Sequence, residues 1–205
     1  MPASTVTVRR GRKYDQVLKG AREVFLRDGF EGASVDDISR AAGVSKATLY
    51  SYFPDKRLLF VEVATCECRR QADEAMKTLD DSLPPREVMR RAGAALMDYM
   101  LSETGQQVFR IAVAECERFP ELGRMFWENG PGMMERCLCA YFDAAIARGE
   151  LVIEDRPLAA HQFAELCKAQ ILLRSCLRLQ SEVTPEERTR ILDGAVETWM
   201  ARYAA

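Results

Sequence analysis

Between Ser34 and Phe53 the chain reads SVDDISRAAGVSKATLYSYF, two short apolar-periodic stretches separated by a turn of about three residues around Gly43. This pattern limits the fold most tightly. Ser34 with Asp37 three residues on has the spacing of a capping box, so a helix is expected to start there and run through Ala42. Gly43 lets the backbone reverse where a Cβ would clash, and Val44 can plug the angle. Ser45 can cap a second helix, closed by Phe53-Pro54-Asp55. Two short helices joined so tightly form a helix-turn-helix. Val35, Ile38, Ala41 and Ala42 would face Val44, Leu49 and Phe53 in a small core shared with Val24 and Phe25. With Leu49 and Phe53 turned inward, Lys46, Ala47 and Tyr50 come out on the opposite face.

The flanking sequence extends the helical reading. Tyr14, Val17, Leu18, Ala21, Val24 and Phe25 recur three or four apart, and Asp28-Gly29 ends that helix. A longer helix is expected from about Lys56 into the seventies. Further helices are expected from Pro84-Pro85 to about Ser102 and from Gly105 to about Arg118. Another segment runs from Phe119-Pro120 to near Gly149, interrupted at Asn129-Gly130-Pro131-Gly132. Pro157 begins a long apolar helix through about Leu179, and Thr184-Pro185-Glu186-Glu187 caps the last one. No hairpin signal or useful alternating strand is visible, so the expected fold class is all-α.

Composition then excludes several classes. No stretch of the 205 residues approaches the ~18 uncharged apolar residues of a membrane helix. The opening residues lack the charged and apolar regions of a secretory leader. Seven cysteines without framework spacing read as free thiols in a reducing cytosol, and a cytoplasmic location is expected. Charge is divided unevenly: residues 1–60 carry 11 Lys and Arg against 7 Asp and Glu, leaving 18 basic against 24 acidic residues beyond them. An electropositive head on an acidic body suits a polyanionic partner for the head.

The chemistry of the head points to duplex DNA. Small Ala47 permits close approach, while Lys46 and Tyr50 can reach base edges or phosphates in the major groove. Helix starts at Ser34 and Ser45 offer backbone N–H groups to phosphate. Tyr52 and Lys56 lie just beyond the exposed helix, close to where the DNA backbone would pass. Arg9, Arg10, Arg12 and Lys13 form a basic arm suited to a minor groove. Thr48 completes the set of candidate DNA-binding residues.

Residues about 10–70 resemble the DNA-binding domain of the TetR family of bacterial transcriptional regulators. The resemblance is carried by FLRDGF from Phe25, by SVDDI from Ser34, by AAGVSKATLY from Ala41 and by YFPDKRLL from Tyr52. Tyr52 departs from the pattern, standing where many members carry histidine. RFPELG from Arg118 and FWENGP from Phe126 resemble the C-terminal domains of AcrR- and AefR-like members. The resemblance implies a helix-turn-helix domain over residues 10–55 and a helical ligand-binding and dimerisation domain over 56–205, with nine or so helices in all. It implies a homodimer paired through its last two helices, a near-palindromic operator and a small-molecule effector. It also makes the helix from about Lys56 the lever between domains.

Candidate residues beyond the head follow from that frame. Met97, Met100, Phe109, Val113, Cys116, Phe126, Met134, Cys137, Tyr141 and Gln170 are expected to line an effector pocket. Trp127, Met133 and Phe142 belong to the same stretch, and Arg110 and Glu115, with Gln170, are possible polar handles. Such a stripe of Met and aromatics is also what plain core looks like. Phe163, Leu166, Leu173, Leu177, Leu192, Val196 and Trp199 are expected at the dimer interface. His161, the one histidine, reads as a packing residue. Cys66 with Cys68, and Cys137 with Cys139, are two residues apart, which points them away from each other on a helix, so no metal site is expected. No cofactor and no catalytic residue is expected. A cysteine-dependent enzyme lacks a visible Cys–His–carboxylate set, while a regulator without a small-molecule effector stays open as an alternative.

Overall fold

The structure, a computed structural model, describes residues 11–78, 82–180 and 182–205. Among these are eleven helices: α1 (Arg12–Gly32), α2 (Val35–Ala42), α3 (Lys46–Tyr52), α4 (Lys56–Thr78), α5 (Pro85–Leu101), α6 (Glu103–Glu115), α7 (Pro120–Asn129), α8 (Pro131–Ala147), α9 (Arg156–Lys168), α10 (Ile171–Cys176) and α11 (Pro185–Tyr203). The chain divides into two compact units between Glu67 and Cys68, inside α4. The start of α4 belongs with the head because Leu58, Leu59, Phe60, Val61, Val63 and Ala64 are all buried.

In the first unit the apolar stripe of α1 is buried through Tyr14, Val17, Ala21, Val24 and Phe25. Gly29 at φ 68° interrupts the helix, as Asp28-Gly29 led one to expect. Phe25 meets Phe60 edge-on at 5.0 Å, and the Tyr14 hydroxyl donates to the buried Glu62 carboxylate at 2.5 Å. α1 approaches α2 so closely at Gly20 that a Cβ there would lie 2.5 Å from the Ala42 nitrogen.

The second unit is a helical body with α5, α8, α9 and α11 around one core. Phe142 stacks on Trp199 at 5.2 Å, Phe163 meets Trp199 edge-on at 6.2 Å, and the Trp199 indole N–H donates to the Ala159 carbonyl at 2.9 Å. Three ion pairs, Arg86–Glu197, Arg90–Asp193 and Arg188–Asp98, tie α5 to α11 along their outer edge. An isolated antiparallel bridge between Leu151 and Ala204 anchors the last residues to the α8–α9 connection.

Two expectations need correction. The helix expected from Pro157 to about Leu179 is broken into α9 and α10 at Ala169-Gln170, where Gln170 has φ 68°. Nothing local announces the break, since the segment holds neither glycine nor further proline. The turn is held from another element: Arg190 of α11 donates to the Gln170 amide oxygen at 3.0 Å. The helix count is accordingly higher than nine, because α7 and α8 are also separate at Gly130.

Candidate nucleic-acid interface

The two caps expected from the sequence set the angle of the helix-turn-helix. The Ser34 hydroxyl oxygen accepts from the Asp37 N–H at 3.1 Å, and that of Ser45 accepts from the Thr48 N–H at 3.1 Å. Between them Gly43 adopts φ 64°, ψ 32°, the left-handed conformation that terminates α2 with its N–H directed to Arg40 and Ser39 carbonyls. Leu49 is 1% exposed and fixes the inner face of α3. Lys46, Ala47 and Tyr50 are exposed on the outer face. A surface of one ammonium, one methyl and one phenol, carried on a short helix, is able to enter a major groove.

Several cations of this unit have a carboxylate beside them. Lys46 pairs with Asp36 of the first turn of α2, Arg40 with Asp37 at 2.7 Å, and Arg27 with Asp28 at 2.7 Å. The hydrogen bond and charge of Asp36 raise the Lys46 pKa above the usual lysine value. The Ser34 hydroxyl first, and the Arg40 guanidinium second, hold Asp37 below the usual carboxylate range. Asp28 is lowered by its hydrogen bond from Arg27. Sequence shows Asp36 two residues after a cap, but no local signal names its partner on α3.

The remaining sequence candidates fall out unevenly. Arg12 is exposed at the start of α1, and Arg10 lies outside the described residues. Thr48 is half-buried, its hydroxyl 2.9 Å from that of Ser45. Tyr52 is half-buried, with its ring edge-on to Tyr14 at 5.8 Å. Lys56 is a correction. Its ammonium donates to the carbonyls of Phe30 at 2.8 Å and Ala33 at 3.0 Å and sits 4.5 Å above the Phe30 ring. It clamps the end of α1 and is not held out toward a phosphate.

This geometry agrees with the comparisons. The profile of AefR-like transcriptional repressor C-terminal domains matches residues 87–205, more than half of the chain. That of bacterial regulatory proteins of the tetR family matches residues 17–63. The chain belongs to the TetR family of transcriptional regulators. The HTH-type transcriptional regulator YhgD of Bacillus subtilis is 28% identical over 136 residues, covering 65% of this chain and 66% of YhgD. The solved structure of a TetR-family transcriptional regulator from Mesorhizobium loti is 27% identical, with a TM-score of 0.75 over 95% of this chain and 98% of that one. The flavonoid-responsive regulator FrrA is 32% identical, with a TM-score of 0.68 over 95% and 98%. The chain spans two thirds or less of the length of the curated relatives it matches. Members of the family are regulators of transcription, not enzymes, and residues 17–63 are this regulator's helix-turn-helix DNA-binding domain.

The C-terminal body corrects part of the interface and pocket reading. Phe163, Leu192, Val196 and Trp199 are 1, 9, 3 and 1% exposed, so they belong to the core of a single copy. α5 covers them: at Gly93 a Cβ would lie 2.5 Å from Leu192 and 3.0 Å from Phe163. The outward face of α9 and α11 is instead a groove of about 560 Å³ lined by Leu158, Gln162, Leu166, Ala169, Thr198 and Arg202, among others. Of the expected interface residues, Leu166 lines this groove and buried Trp199 forms part of its floor, while Leu173 and Leu177 are exposed on the α10 side. Helical spacing of 158, 162, 166 and 169 was the signal that could have found the face.

Among the expected pocket residues, Met97, Met100 and Tyr141 are buried in the core, and Met134 packs against it. Phe109 and Phe126 meet at 6.0 Å between α6 and α7, with Cys116 and Cys137 half-buried. Val113 is 61% exposed near the outward end of α6, and Gln170 is exposed at the helix break, so neither lines an interior space. His161 is half-buried, 2.7 Å from the Glu135 carboxylate and stacked on Trp127 at 5.4 Å. Among the described residues no three His, Cys, Asp or Glu side chains gather as metal ligands. No described helix is long and apolar enough to cross a membrane.

Proposed function

We propose that this regulator acts in the cytoplasm as a homodimeric repressor that binds a near-palindromic operator through α3. The observation that carries this reading is the exposed triplet Lys46, Ala47 and Tyr50 on a helix locked from behind by Leu49. Arg12, Ser34, Ser45, Thr48 and Tyr52 surround it as candidate backbone contacts. Two such heads would occupy successive major grooves about one helical turn, ~34 Å, apart. The family profile over the body is that of AefR-like repressors, which favours repression. The groove between α9 and α11 is the face we assign to the second copy, with Leu158, Leu166 and Ala169 at its centre.

Release is assigned to a small apolar effector taken up by the C-terminal body near Phe109, Phe126, Met134 and Cys137, with α4 as the covalent link between the units. The flavonoid-responsive regulator FrrA, 32% identical, supports an effector of this kind. An effector that binds the released conformation better by a factor of about 5–150 supplies the 1–3 kcal/mol that such coupling uses. The test is a titration of the full chain against the intergenic DNA upstream of its own gene. Lys46→Ala should weaken specific binding far more than non-specific binding. Equal binding by both proteins would overturn the assignment of α3, and affinity unmoved by flavonoids and other apolar compounds would favour a regulator without an effector.

A further inference from the structure

Lys46 opens the exposed face of α3, yet its ammonium is already paired with a carboxylate from α2. Side chains of both partners are more than half exposed, Lys46 at 58% and Asp36 at 56%, so the couple stands at the surface where DNA would arrive. Both residues sit in helical first turns whose backbone the Ser34 and Ser45 hydroxyls fix, which keeps the two side chains within reach of each other.

Such a couple is a poor ligand for a phosphate. The ammonium has a donor to spare for a phosphate, but Asp36 then stands beside that phosphate as a second anion, and their repulsion weakens the contact. A base-pair edge is different. In the major groove a G·C pair presents two neighbouring acceptors, guanine N7 and O6, beside one donor, the cytosine N4 amino group. A lysine ammonium can donate to both acceptors while an adjacent carboxylate accepts from the amino group, and the two side chains stay close together. An A·T pair places its donor between its acceptors, which separates the two sites an ammonium would bridge.

We propose that Asp36 is a specificity-determining residue that, together with Lys46, reads one G·C pair in each operator half-site and keeps Lys46 off the phosphates of other DNA. This rests on the DNA-binding reading above and goes beyond it by naming the base pair and the residue that rejects bulk DNA. Substitution of the carboxylate frees the lysine for backbone contacts, so affinity for unrelated sequence rises while discrimination falls.

The experiment is enrichment of a random duplex library by the full-length wild-type protein and by Asp36→Asn, followed by affinity measurements on the enriched duplex and on a scrambled one at several salt concentrations. Wild type is expected to enrich a near-palindrome with a G·C pair fixed in each half. Asp36→Asn is expected to bind the scrambled duplex about tenfold tighter, to steepen its salt slope by nearly one unit per head, and to lose preference at that pair. Asp36→Ala should behave in the same way, with thermal unfolding of all three proteins showing that the head stays folded. Variants that keep the wild-type consensus and the wild-type ratio of specific to scrambled binding would overturn the role of Asp36 alone. A wild-type protein that enriches no sequence would defeat the DNA-binding reading itself.

Discussion

Lys56 follows the exposed helix at a distance that suits a phosphate, and the fold spends its charge elsewhere. Its two carbonyl partners and the Phe30 ring are all within the head. Lys56→Met should therefore destabilise the head by about 2 kcal/mol, the range for hydrogen bonds to a charged group, in chemical denaturation. A loss of salt dependence in DNA binding with no loss of stability would contradict this placement. Cys167 is the other residue whose surroundings dictate behaviour: burial pushes its thiol up to about 12. Thiolate is the reactive form, so a raised pKa leaves the group protonated and inert well above neutrality. At pH 8 the folded protein should leave Cys167 unmodified by iodoacetamide, and unfolding should expose it, as read by mass spectrometry. At this scale the local signals were legible: Ser34, Gly43 and Ser45 act through partners three or four residues away. Asp36 with Lys46, and Lys56 with Phe30, depend on which helices meet, and no spacing rule reports that.

Among the elements, the contact of α1 with α2 is the tightest constraint on the head. At Gly20 a Cβ would fall 2.5, 2.7 and 2.8 Å from the nitrogen, Cα and Cβ of Ala42. Backbone cannot yield as a flexible side chain does, so Gly20→Ala should cost about 2 kcal/mol and loosen α2, on which the angle of α3 depends. A thermal melt together with the affinity for the enriched duplex would check it, and an unchanged melt would show that the helices can separate freely. The apolar periodicity of α1 was readable because Tyr14, Val17, Ala21 and Val24 repeat with the helix. The break between α9 and α10 was not, because Gln170 takes a positive φ without glycine's help and is held by Arg190 of a distant helix.

For the whole molecule the question is what covers the groove on the body. Leu158 is 50% exposed beside Leu166 and Ala169 on one wall, with Thr198 and Arg202 on the other. Leu158→Glu should place a charge on the face we assign to the second copy and shift the protein to monomer in sedimentation velocity, leaving its helical content unchanged. A dimer that survives the change would move the interface elsewhere, with Leu173 and Leu177 as the next surface to test. Apolar content alone could not separate inner from outer faces of α9 and α11, which is why Phe163 and Trp199 looked available for a partner. Packing against α5 and α8 decided it. The ion pairs from Arg86, Arg90 and Arg188 of α5 and α11 bear on the same issue. With these pairs and its buried Leu192, Val196 and Trp199, α11 is ordered before any mate arrives, so a copy docking on the face assigned to it would find a formed platform. Little conformational freedom is then left to lose on association, and the pace of pairing should follow encounter rather than rearrangement.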